Sequence, residues 1–196
     1  QGVTENDLID FTPELKKEAL AIALSYTLGP LFTPPTLISK NNKGTLMLPG
    51  SQGGANWQGA ALDPETNILY ISSSTAPTPL GLIPDRSRSN MDYVLGRRLS
   101  LPKGGGPQGL PLLKPPWGRI TAIDLNTGEH VWMIANGEAP DYVKQHPALK
   151  GVSLPRTGRP ERVGLLVTKS LLFAGEGSGL FGDYGGGGRM LRSHDK

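Results

Sequence analysis

Apolar residues Leu15, Ala19, Ile22, Ala23 and Tyr26 recur at the spacing of one helical face, and the residues before them suit the start of a helix. Thr12 fits the N-cap, Pro13 fits the first helical position, where its missing N–H is not needed, and Glu14 lies near the positive end of the helix dipole. Gly29-Pro30 closes the run, so a helix over about residues 13–26 is expected, with one face laid on something larger.

From Gly44 onward the spacing changes to short strand-like runs separated by turn residues. Strands are expected at 45–48, 57–62 and 68–72, the last two joined by Asp63-Pro64-Glu65-Thr66-Asn67. In that joint Pro64 presets φ for a type I turn, the Asp63 carboxylate can accept from N–H groups of the turn, and Asn67 tolerates the left-handed conformation. The same chemistry returns at Asp124-Leu125-Asn126-Thr127-Gly128, between strands expected at 120–123 and 130–134. A further pair is expected at 163–168 and 171–174, and Arg189-Met190-Leu191-Arg192-Ser193-His194-Asp195-Lys196 repeats the approach to the turn, with Asp195 in the place of Asp124.

Two strands, then a strand ending in Asp at a turn, then a strand bearing Trp132, make a four-stranded unit that recurs. Such repetition argues for an all-β fold, a partial β-propeller with four-stranded blades and an N-terminal helical insert. On this reading residues 1–43 form the insert and 44–138 one blade interrupted by a Pro/Gly-rich stretch at about 75–116. Residues 139–196 hold a linker and three strands of an incomplete next blade. An unfinished blade leaves an open edge, so the isolated chain is expected to be marginally stable or to aggregate.

Composition agrees with many short elements: Gly 27 and Pro 18 of 196 residues are roughly twice ordinary usage, without a Gly-X-Y period. The net charge is +3, with both signs interspersed, which gives no basic face for nucleic acid. Absence of Cys removes disulfides and thiolate metal sites, and no apolar run reaches the length of a membrane span.

Ala122-Ile123-Asp124-Leu125-Asn126-Thr127-Gly128-Glu129-His130-Val131-Trp132 resembles the tryptophan-docking repeat of quinoprotein dehydrogenases that use pyrroloquinoline quinone (PQQ). Gly53-Gly54-Ala55-Asn56-Trp57, followed by Ala61-Leu62-Asp63-Pro64 and Leu69-Tyr70-Ile71, is similar to the run that opens an inner strand of a late blade in glucose-type and alcohol-type members. The resemblance places Asn56 beside the quinone, with Trp57 as a further cofactor contact. The residue types suit that role. Glycines let backbone approach a flat ring, an amide donates to a quinone oxygen that gains charge on reduction, and an indole adds apolar area. Pro115-Pro116-Trp117-Gly118, entering the docking strand, looks like the bacterial glucose-dehydrogenase subgroup. Methanol-type members carry Trp-Gly-Gly where this chain has Arg162-Val163-Gly164.

The resemblance implies a fragment from the C-terminal half of a periplasmic bacterial enzyme, soluble or membrane-associated. That enzyme oxidises an alcohol or sugar with PQQ and Ca²⁺ and passes electrons to a quinone or cytochrome acceptor. The remaining blades would supply the Ca²⁺ ligands and the general base, leaving the fragment inactive by itself. Asp63, Asp124 and Asp195 all sit at hairpin turns, where the carboxylate has a structural task, and His146 reads as a loop residue. The quadruple glycine at 185–188 lacks the strand-to-helix context and Lys-Ser/Thr of a phosphate loop. The competing function is a non-catalytic propeller of PQQ-type repeats that acts as a protein-binding scaffold.

Overall fold

A computed structural model describes residues 2–51, 53–55, 58–96, 101, 104–176 and 188–196. The chain forms two compact units, one from Gln1–Gly53 and Ala76–Lys114, the other from Gly54–Thr75 and Pro115–Lys196.

In the first unit the expected helix, α1, spans Pro13–Ala23 and buries Leu15, Ala19 and Ala23. Its N-cap is Thr12, whose hydroxyl oxygen accepts from the Leu15 N–H at 3.2 Å. The helix stops short of Tyr26 because the Ser25 hydroxyl donates to the Ile22 carbonyl at 2.6 Å, a side chain competing for a helical acceptor. The next amides turn tightly, Ser25 N–H to Ile22 O and Tyr26 N–H to Ala23 O. The expected strand at 45–48 is present as Thr45–Met47, but its partner is Thr78–Ile83, which also pairs in parallel with Thr36–Leu37 and antiparallel with Val94–Leu95. The stretch read as a Pro/Gly-rich loop therefore contributes a strand of its own. Gly81, one of the residues that disguised it, is required by packing: a Cβ there would stand 2.4 Å from the Ile38 side chain.

The second unit contains the four-stranded blade. Strands β1 (Ala60–Asp63), β2 (Ile68–Ser74), β3 (Gly118–Asp124) and β4 (His130–Ala135) pair antiparallel in the order β4-β3-β2-β1. The β2–β3 ladder runs from Ile68 opposite Asp124 to Ser74 opposite Gly118, and a bulge separates His130 from Trp132 on β4. Both hairpin turns form as their residues dictate, with Asn67 at φ 55° and Gly128 at φ 77°. The Asp124 carboxylate accepts from the Asn126 N–H at 2.8 Å. A second sheet holds the three further strands, β5 (Leu165–Val167), β6 (Leu171–Gly175) and β7 (Leu191–Asp195), all antiparallel.

A core of Tyr70, Ile120, Ala122, Val163, Leu172 and Ala174 joins the two sheets, with Trp132, Ile134, Leu165 and Val167 packed on it. Trp132 lies 5.6 Å from Tyr70 between ring centroids, at an interplanar angle of 40°. The docking tryptophan is therefore a packing residue here, as its repeat implies. At one end the sheets are also tied by the Val163 N–H, which donates to the buried Ser72 hydroxyl at 2.7 Å, and by the Asn136 amide, which donates to the Gly175 carbonyl at 2.8 Å.

At the opposite end Asp63 holds its own turn and the second sheet together. Its carboxylate accepts from the Glu65 N–H at 3.1 Å, the Thr66 hydroxyl at 2.7 Å and the Lys196 ammonium at 2.5 Å. The Lys196 bond is the largest of the influences that hold the Asp63 carboxyl at about 2, followed by the Thr66 bond, against the opposing effect of burial. A folded value below the ordinary 3.8 means stability that is fully present above pH about 4 and lost as pH falls toward 2. Asp63→Asn is expected to unfold at lower denaturant than wild type at pH 6, with the two midpoints converging as pH approaches 2. A gap that stayed constant over that range would show that the carboxylate charge contributes nothing.

Candidate functional site

The blade has two ends of different character. One carries the Asp63 and Asp124 turns. At the other, β1 and β3 begin and β2 and β4 finish, as does β6, while β5 and β7 start. This second end is where Gly53-Gly54-Ala55-Asn56-Trp57 enters β1. Gly53 has φ 72°, and the Gly54 carbonyl accepts from the Ser74 N–H at 2.9 Å, which fixes Gly54 against the last residue of β2. Asn56 and Trp57 themselves lie outside the described residues.

Backbone density sets the geometry of this end. The Trp117 carbonyl accepts from the Thr75 N–H at 2.7 Å, the Thr75 hydroxyl donates to the Pro116 carbonyl at 2.9 Å, and the Trp117 N–H donates to the Thr157 carbonyl at 2.7 Å. Gly118, at the start of β3, leaves no room for a side chain, because a Cβ would stand 1.7 Å from the Arg159 carbonyl oxygen. Arg119 bonds the Thr75 hydroxyl, and burial pushes its guanidinium below the usual arginine range.

Charged groups gather beside the second sheet. Glu176, 4 % exposed, pairs with Arg192 at 2.5 Å and with Arg159 at 3.6 Å. Glycines make space for it: a Cβ on Gly188 would stand 1.9 Å from Glu176 Oε2, and one on Gly137 would stand 3.0 Å from Oε1. Next to this cluster opens a cavity of about 470 Å³, whose lining includes Gln58, Arg162, Gly164, Glu176 and Arg189. Gln58 follows the Asn56-Trp57 pair directly, and its side-chain oxygen is buried without a hydrogen-bond partner. The neighbouring Glu161 is also buried, and burial raises its carboxyl above the ordinary value, with Arg162 acting in the opposite sense.

The sequence pointed to this end through the Gly-Gly-x-Asn-Trp run, but not to Gln58, Glu176 or the arginines around it. Arg162 carried one signal, as the residue standing where methanol-type members have an aromatic. His146 is a capping residue, its Nδ1 accepting from the Ala148 N–H at 3.2 Å. Of the quadruple glycine, residues 185–187 lie outside the described residues.

The model of the PQQ-dependent glucose, ethanol and alcohol dehydrogenase β-propeller domain matches residues 1–184. The chain belongs to that family. It is similar to the quinoprotein glucose dehydrogenase of Gluconobacter oxydans, 29 % identical over 160 residues that cover 70 % of this chain and 18 % of the relative. It is also similar to the quinoprotein glucose dehydrogenase of Escherichia coli, 30 % identical over 57 % of the chain and 16 % of the relative. A probable quinate dehydrogenase (quinone) of Xanthomonas campestris pv. juglandis is 26 % identical over 58 % of the chain and 17 % of the relative. The chain thus spans under a fifth of the length of these relatives. Membership of the family makes PQQ the cofactor to test against this end of the blade. The described residues suit one edge of such a group: backbone glycines for close approach and a buried amide oxygen without a hydrogen-bond partner. Among the described residues no cluster of three or more His, Cys, Asp or Glu could hold a metal ion, and no helix is long and apolar enough to cross a membrane.

Proposed function

We propose that the protein carrying this chain is a PQQ-dependent dehydrogenase that oxidises an alcohol or sugar, and that this chain supplies part of the cofactor-binding end of its propeller. The single observation that carries the reading is the family match over residues 1–184, within which Gly54 of the Gly-Gly-x-Asn-Trp run accepts from the Ser74 N–H at the end of β2. PQQ supplies a two-electron acceptor when bound. The part of this chain is to position it. Asn56 would donate its side-chain amide to a quinone oxygen, Trp57 would cover apolar ring surface, and the glycines at 53 and 54 would keep the approach open. Preorganised donors of this kind favour the reduced, more negative state.

Ca²⁺, a general base from other blades, a quinone or cytochrome acceptor, and a periplasmic location belong to the same proposal. Its substrate is of the glucose type, supported by the glucose dehydrogenases among the relatives. The isolated chain is expected to be inactive, since it spans under a fifth of the length of these relatives.

The test is PQQ binding and dehydrogenase activity of the full-length protein with Ca²⁺ and an artificial electron acceptor. Asn56→Ala is expected to weaken PQQ binding roughly tenfold, the loss of about one good hydrogen bond. A full-length protein that retains no PQQ and oxidises no alcohol or aldose would overturn the reading in favour of a protein-binding scaffold.

A further inference from the structure

β7 has two unlike faces. Leu191, Ser193 and Asp195 are exposed, whereas Arg192 and His194 stand directly opposite Ala174 and Leu172 of β6, two members of the core that joins the sheets. Opposed residues of an antiparallel pair share a face, so His194 is turned toward the blade. With Asp195 in the place of Asp124, His194 takes the place of Ile123. The ladders agree: Ile123 pairs with Leu69, and His194 with the fully buried Leu172. A titratable ring thus occupies a position that the blade gives to an isoleucine.

Its surroundings suit only the neutral ring. The His194 Nε2 is buried and has no hydrogen-bond partner among the described residues. Arg192 and Lys196 lie two residues away on the same face of β7, and Arg156, from the stretch between β4 and β5, adds a third cation. The acids beside these cations are already committed: Glu176 to Arg192 at 2.5 Å and Arg159 at 3.6 Å, Asp63 to Lys196 at 2.5 Å, and Glu138 to Arg156 at 3.2 Å. Tyr70, on the blade side, carries a phenol that burial raises, so it supplies no negative charge. Burial, then Arg156 and Arg192, hold the His194 ring below the ordinary 6.5. The stability associated with the neutral ring is therefore fully present above pH 6.5 and is lost as pH falls below it.

We propose that His194 is an acid-sensitive latch on β7: when its ring takes up a proton, β7 separates from the blade while the blade itself stays folded. β7 is placed to move, because among the described residues it is the outer strand of its sheet and is paired with β6 alone. Its ionic tie to the blade is the Lys196–Asp63 pair, and Asp63, held at about 2, keeps its charge throughout the range in which an imidazole titrates. That tie persists while the seam beside it changes. Protonation adds a fourth cation to Arg156, Arg192 and Lys196 in a poorly hydrated place, with no free carboxylate to receive it.

The experiment is amide hydrogen exchange of the full-length protein at pH 7.5 and 5.5, read peptide by peptide by mass spectrometry and corrected for the chemical effect of pH on exchange. In wild type, peptides covering β7 are expected to lose about three- to tenfold of their protection at the lower pH, while those covering β2 change by less than about twofold. His194→Leu restores the apolar residue type of the blade and should hold the protection of β7 constant within about twofold. His194→Gln is polar but uncharged at either pH and should behave in the same way; it decides the matter if the leucine variant fails to fold.

Acid loss confined to β7 and absent from the variants establishes the latch. Unchanged protection of β7 in wild type overturns it. The same loss in the His194 variants also overturns it, since another group would then be the trigger. An equal loss in β2 does so as well, because acid would then be loosening the blade as a whole.

Discussion

Glu176→Ala is expected to destabilise the unit built on the two sheets by about 3–5 kcal/mol, the usual result of removing one member of a buried ion pair. Glu176 is 4 % exposed, and its partners Arg192 and Arg159 have side chains only 19 % and 15 % exposed. Removing the carboxylate therefore strands Arg192 in a poorly hydrated place and takes one carboxylate from Arg159, which also pairs with Asp141 at 3.8 Å. The loss comes from the uncompensated charge of Arg192 more than from any net attraction of the pair. Replacing Glu176 and Arg192 together by Met should recover part of it, with Arg159 keeping its contact to Asp141. Denaturant unfolding of the full-length protein checks this through the midpoint at unchanged slope. A single variant within about 1 kcal/mol of wild type would mean that water reaches the cluster freely.

The second large effect belongs to the core. Tyr70 is 2 % exposed at the centre of the cluster that joins the blade to the second sheet. Tyr70→Ala is expected to cost about 3–5 kcal/mol, the range for deleting a buried aromatic, through lost apolar burial and the cavity left behind. It also removes the ring against which Trp132 is packed, worth about 0.5–1.5 kcal/mol beyond area. The Trp132→Leu variant and the double variant complete a thermodynamic cycle, and a coupling energy near zero would show that the two rings do not support each other.

The parts of the fold legible in the sequence were those that neighbouring residues specify among themselves. Asp63 to Asn67 and Asp124 to Gly128 each contain the acceptor, the turn former and the left-handed residue that their hairpins need, so strand pairing followed. Thr78–Ile83 was not legible. Its Pro79 and Gly81 are local signals for a loop, and only the distant Thr45–Met47 and the close approach of Ile38 make a strand of it. The end of α1 was misplaced for a similar reason: helical spacing continues to Tyr26, but the Ser25 hydroxyl takes a carbonyl that the helix would have used.

The candidate site divides in the same way. Asn56 and Trp57 could be named because a contiguous run of residues surrounds them, and their role came from resemblance. Glu176, Arg159 and Arg192 are separated in sequence and meet only because β6 and β7 are paired and the stretch after β4 folds back beside them. No local pattern announces a charge cluster assembled that way. Gln58 was hidden by its neighbours, since polar residues at the mouth of a strand are common and only burial of its oxygen sets it apart.

The hydrogen bonds that join Thr75 to Pro116 and Trp117 bear on how such a protein can diversify. They close the blade across the gap between β2 and β3, so the chain leaves and rejoins the sheet at a single point. The entropy of closing a loop rises only with the logarithm of its length, which makes long and short insertions at that point nearly equivalent to the blade. Thr75 and Trp117 thus act as a splice junction. Segments of very different size can be exchanged between them while the strand register beneath is preserved.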